Sequence, residues 1–156
     1  MRGTYHIEAP VEEVFDFFFD PRKSEGLFPN FEIRELKMTE QGTGTYTSYH
    51  TKMAGIPFDT FSVYTEVVRN KHITEKSSNA LVGTWDYSFE PEGKGTKVTM
   101  EHHSRSLWGL PPLSTLGDLV TARMNESFMH RVKDHIEASH HRPSRTTGAR
   151  RKAASH

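Results

Sequence analysis

The chain has 156 residues, 20 basic and 20 acidic side chains and no cysteine. That is enough for one domain with a real core, and it excludes a disulfide framework, a thiolate metal site and a cysteine nucleophile. The formal charge of zero conceals an asymmetry: residues 140–156 carry Arg142, Arg145, Arg150, Arg151 and Lys152 with no acid, so the preceding body is acidic. No apolar leader and no run of about 18 apolar residues is present, which predicts neither secretion by a cleaved signal nor a transmembrane segment. With the lack of cysteine, this points to the cytoplasm.

In chain order, a strand is expected over residues 2–7, stopped by Glu8-Ala9-Pro10. Proline suits a first helical turn and Glu12 and Glu13 complement the helix dipole. Val11, Val14, Phe15 and Phe18 recur at helical spacing, giving a helix over 10–19 that Asp20-Pro21 ends, followed by a short helical turn around 22–27. From residue 31 to 106 the period becomes two, with breakers at 42–44, 55–57, 70–71, 78–79 and 91–95. This predicts an antiparallel meander of about six strands over 31–39, 45–54, 58–69, 72–76, 81–90 and 96–106. The helical period returns in Leu113, Leu116, Val120, Met124, Phe128, Val132 and Ile136, predicting a helix over 113–138. A folded domain over 1–139 and a disordered basic tail over 140–156 complete the organisation, since the tail is too polar to offset its ordering entropy. The tail lacks the aromatic interleaving of a nucleic-acid arm, and no specific nucleic-acid partner is expected.

Four segments share an order with a known superfamily. Residues 7–17 (Ile-Glu-Ala-Pro-Val-Glu-Glu-Val-Phe-Asp-Phe), Phe28-Pro29-Asn30, Phe89-Glu90-Pro91 with Gly95-Thr96-Lys97-Val98-Thr99, and Val132-Lys133-Asp134-His135-Ile136-Glu137 resemble the START-like superfamily that includes polyketide cyclases/dehydrases and the birch-pollen-allergen group. The resemblance implies an α+β helix-grip fold: a curved antiparallel sheet of about seven strands round a long C-terminal helix, two short helices after strand one, and an internal cavity. It implies no single activity.

Strand alternation nominates the cavity wall, because successive side chains point to opposite faces. The more apolar sets are expected inward: Gly83, Trp85, Tyr87 and Phe89 on one strand, Val98, Met100, His102 and Ser104 on the next, and Phe61, Val63 and Val67, with Thr65, on the strand over 58–69. Over 45–54, Thr47, Tyr49, Thr51 and Met53 are favoured over Tyr46, Ser48, His50 and Lys52. The helix would add Leu116, Val120, Met124, Phe128 and Met129. Binding of a hydrophobic small molecule, a lipid, isoprenoid or polyketide, is the leading expectation. The alternative is a polyketide cyclase/dehydrase in which His102, with Tyr87 or Tyr49, moves protons next to a carbonyl. A plain core of aromatic and methionine side chains competes with both. His102 and His103 point to opposite faces and cannot share an ion, so neither a metal nor another cofactor is expected. Asp16, Asp20, Arg22 and Lys23 form either a patch at the cavity mouth or a solvated face, and Trp108 either gates entry or caps the core.

Overall fold

A computed structural model describes residues 1–27, 31–53, 55–79, 83–104 and 111–142; the side chains at 53, 79, 104 and 111–118 fall outside the description. Seven strands are present: β1 Arg2–Ile7, β2 Glu32–Lys37, β3 Tyr46–Met53, β4 Ile56–Val68, β5 His72–Asn79, β6 Gly83–Glu92 and β7 Gly95–Ser104. They form one antiparallel sheet in the order β1-β7-β6-β5-β4-β3-β2. The six-strand meander is therefore continuous, and β1 returns to pair with its last strand. The first helix, α1, is Val11–Phe19, a 3-10 turn follows at Pro21–Ser24, and the closing helix, α2, is Pro111–His140.

Pro10 sits at the N-cap of α1, one position earlier than a proline that opens the first turn, and its carbonyl accepts from Glu13 and Val14 N–H at 3.1 Å. Val14, Phe15, Phe17 and Phe18 are all buried. The apolar face is wider than one stripe because α1 is covered on two sides. Phe15 and Phe18 meet Phe89 of β6 at 5.5 and 5.3 Å between ring centroids, while Phe17 lies 5.6 Å from the His135 ring of α2. Asp20 ends α1 and caps the 3-10 turn by accepting from Arg22 N–H, and it also holds the Arg22 guanidinium in a two-toothed pair at 2.9 and 2.8 Å. That hydrogen-bonded guanidinium holds the Asp20 carboxyl below its usual range. Asp16 pairs instead with Arg69 at 3.1 Å, so these residues are engaged locally.

The C-terminal half of α2 docks on β1 and α1. Met129, Val132 and Ile136 are buried there, Lys133 donates to the His6 carbonyl and pairs with Glu137, and Glu137 accepts the Glu8 N–H at 2.9 Å. Arg131 donates to the Leu27 carbonyl at 2.8 Å, tying the helix to the segment after the 3-10 turn. The half of α2 nearer its start stands away from the sheet. Val120, expected inward, is 40% exposed, as is its neighbour Leu119 at 52%. Helical period fixes which residues share a face, but not how far the opposing surface extends.

One strand runs in the opposite phase to the expected one. On β4 the inward residues are Thr60, Ser62 and Tyr64, all buried, whereas Phe61 is 37% exposed. Phe61, Val63 and Thr65 thus belong to the outer phase, where the Phe61 ring stacks with Tyr46 at 6.3 Å. A bulge between Tyr64 and Glu66 then adds a residue, which reverses the alternation and brings Val67 back against the core.

Candidate functional site

A cavity of about 170 Å³ lies between the sheet and the part of α2 that stands off it. This is the order of size, about 150 Å³, at which an apolar cavity accepts one aromatic ring. Phe31, Trp85, Tyr87 and Phe128 supply most of its apolar wall, with Met124. Thr47, Tyr49 and Thr51 of β3, with Ser62 and Tyr64 of β4, supply a second wall. Pro21 and Ser24 of the 3-10 turn and Asn125 of α2 complete it.

The sheet register aligns the chemistry. Tyr64 of β4 is opposite Glu75 of β5, Glu75 is opposite Trp85 of β6, and Trp85 is opposite His102 of β7. Glu75 therefore points inward between a tyrosine and a tryptophan. Its residual exposure is to the cavity it lines. Burial pushes its pKa above the ordinary 4.5, and a hydrogen bond with Ser62 offsets part of the rise. The three tyrosines nearby are affected in the same sense. Desolvation, followed by the field of Glu75, raises Tyr49, Tyr64 and Tyr87 above the usual phenol range. Tyr64 Oη is committed, donating to the Phe18 carbonyl at 2.7 Å, and the Tyr49 ring lies against Phe31 at 4.6 Å between centroids, tilted by 39°. Among the described lining residues Glu75 is the one charged type, and no lysine, arginine or histidine is present.

The sign of the Glu75 shift makes stability depend on pH. Folding favours the neutral acid, so this contribution is fully present below pH 4.5, the unfolded value, and is lost as pH rises through the higher folded pKa. Glu75→Gln, neutral throughout, is expected to match the parent's melting temperature below pH 4.5 and to exceed it near neutrality. Thermal melts of both proteins across that range measure the divergence; parallel curves would mean that burial does not hold the proton.

The expected site residues separate into four groups. Tyr49, Thr51, Trp85, Tyr87, Met124 and Phe128 line the cavity. Phe89 and Met100 are buried, 2% and 1% exposed, but belong to the packed core rather than the cavity wall. His102 is likewise absent from the described lining: it is buried behind Trp85, whose indole stacks on it at 4.2 Å between centroids and 21°. Phe61, Val63 and Val120 lie on outer surfaces, as given above. The side chains of Met53, Ser104 and Leu116, together with Phe28, Pro29, Asn30, Trp108 and residues 143–156, lie outside the described residues. Sequence reasoning missed Pro21, Ser24, Phe31, Ser62, Tyr64, Glu75 and Asn125. The available signal for Glu75 was its phase with Ile73 on a strand neighbouring Trp85, which a search for apolar alternation passes over.

A curved antiparallel sheet gripping a C-terminal helix, with space left between them, defines the helix-grip architecture of START-like proteins. Residues 8–136 match the family described as Activator of Hsp90 ATPase homolog 1-like protein, and the chain belongs to that family. Among solved structures, protein Ms6760 from Mycobacterium smegmatis is 18% identical over 89% of this chain and 91% of its own, with TM-score 0.69. Ara h 8.0201 is 14% identical over 88% and 97%, with TM-score 0.63. The Polyketide_cyc-like protein Cgl2372 from Corynebacterium glutamicum is 17% identical over 90% and 94%, with TM-score 0.58. At these identities the likeness concerns the fold. No individual curated protein matches the chain significantly. Among the described residues, no helix is long and apolar enough to cross a membrane.

Proposed function

We propose that the protein binds a small, mainly apolar molecule between the inner face of the sheet and α2. The observation that carries this reading is the cavity itself: α2 does not close on β3 to β6 along its whole length, and the space left is aromatic with a few polar groups. That is the composition of a site in which apolar walls supply affinity and sparse polar groups fix orientation. A lipid, isoprenoid or polyketide fragment of about one ring suits the volume, and the fold it shares with a protein named polyketide cyclase-like is consistent with such a ligand. The chain's lack of cysteine favours a cytoplasmic setting for this role, with the domain over 1–139 acting and 140–156 as an appended basic tail.

Proton transfer by His102 and Tyr87 receives less support. A general acid or base must come within hydrogen-bond reach of the reacting atom, and the Trp85 indole stacks directly on the His102 ring. The test is native mass spectrometry and thermal shift of the full chain against one- and two-ring alcohols, ketones, amines and isoprenoids. Binding with a raised melting temperature is expected. No retained ligand in any class would overturn the binding reading.

A further inference from the structure

Resting on that binding reading, we infer that the cavity selects an organic cation, a hydrophobic amine whose ammonium group sits against Glu75 within the aromatic wall and whose apolar body fills the rest. Three features of the described site carry the argument independently of any shift in acidity. The carboxylate is placed centrally on the inner face, opposite Tyr64 on one side and Trp85 on the other. The rings that surround the space, Phe31, Tyr49, Tyr64, Trp85, Tyr87 and Phe128, include the types whose faces attract an ammonium group. No described cationic side chain lines the cavity, so an incoming carboxylate or phosphate would meet an acid and, among the described residues, no counter-charge.

The electrostatic consequences follow. A buried carboxylate whose hydrogen-bond partner is the neutral Ser62 hydroxyl remains costly, and a ligand ammonium supplies a counter-charge that no described lining side chain provides. A neutral alcohol can fill the same volume but not that role. An acidic ligand adds like charge at short range, which is unfavourable in a desolvated site. The titratable groups facing Glu75 are Tyr49 from β3, Tyr64 from β4 and Tyr87 from β6; α2 presents Met124, Asn125 and Phe128, which do not titrate. Asp20, at the end of α1, is already paired with Arg22 and does not compete for the ammonium.

Where Glu75 starts protonated, binding is a balanced exchange. The ligand keeps its ammonium proton, the carboxyl releases its own to the buffer, and the ion pair forms. The experiment is isothermal calorimetry on the full chain at neutral pH with three single-ring probes of matched size: 2-phenylethylamine, 2-phenylethanol and 3-phenylpropanoate. The amine is expected to bind at least about tenfold more tightly than the alcohol, and the acid most weakly. In Glu75→Gln, an isosteric change, the amine preference should vanish, so that amine and alcohol bind within about twofold of each other.

Equal affinity for amine and alcohol, tighter binding of the acid, or an amine preference that survives Glu75→Gln would each overturn the cation assignment while leaving the binding reading intact. Failure of all three probes to bind would also overturn the cation assignment, while the binding reading would still stand or fall on the wider ligand screen.

Discussion

Thr47→Phe is expected to abolish ligand binding while leaving the protein folded. Thr47 is 3% exposed, faces the cavity from β3 and stands opposite Ser62. A phenyl ring at this position extends into the 170 Å³ space and takes the place of a single-ring ligand. Affinity for any molecule seated there should fall by about 100-fold or more, equivalent to about 2.7 kcal/mol. Because the added ring enters open space rather than a filled core, the stability cost should remain at the lower end of the overpacking range, about 1 kcal/mol. Calorimetry for affinity and urea unfolding for stability separate the two effects. Retained affinity in a folded Thr47→Phe protein would move the ligand to another site.

The largest loss of stability is expected from Phe15→Ala. Phe15 is fully buried, meets Phe89 edge-on at 5.5 Å and Phe19 at 5.8 Å, and carries the Arg69 guanidinium over its ring at 5.5 Å. Truncation leaves a ring-sized void where α1 joins the sheet, for which the expected cost is about 3–5 kcal/mol. Set against total stabilities of about 5–15 kcal/mol for domains, that is enough to bring the protein near its unfolding threshold. The effect should reach the cavity as well, because the end of α1 supplies the Phe18 carbonyl that fixes Tyr64. Urea denaturation read by far-ultraviolet circular dichroism measures the loss. A cost under about 1 kcal/mol would show that α1 lies outside the cooperative core.

The two substitutions act on different layers, and the layers differed in how well the sequence revealed them. Where side chains pack directly on others, apolar alternation led to the observed arrangement. Trp85, Tyr87 and Phe89 share the inner face of β6, Val98 and Met100 share that of β7, and Val14, Phe15 and Phe18 face the core from α1. On β4 the same reasoning chose Phe61 and Val63 over Ser62 and Tyr64. The inner face there borders a cavity rather than a packed core, so polar side chains are tolerated inward, where they can hydrogen-bond to one another. The apolar Phe61 finds cover on the outer face beside Tyr46. The bulge after Tyr64 compounds the error, since the apolar Val67 beyond it is inward and invites a phase that does not hold upstream.

The helix presents the same contrast. Periodicity located α2 and its face, and Met124, Phe128, Val132 and Ile136 do turn towards the interior. It gave no indication that the face loses its partner near Val120, because the distance at which a sheet curls away from a helix is set by all seven strands together. His102 illustrates the limit for chemistry: the expected inward phase is observed, yet the neighbouring Trp85 occupies the space between its ring and the cavity wall.

Local period, turn chemistry and segment order carried the order of elements, the antiparallel meander and the long closing helix, while the resemblance to START-like proteins carried the helix-grip architecture. Long-range packing settled that a half-open space remains beside α2, that Glu75 stands in it between Tyr64 and Trp85, and that Phe61, Val63 and Val120 do not reach it. The physical reason is that a cavity is the difference between two surfaces. Local pattern specifies each surface, whereas their separation depends on long-range register, sheet curvature and the docking of α2 through Lys133, Glu137 and Arg131.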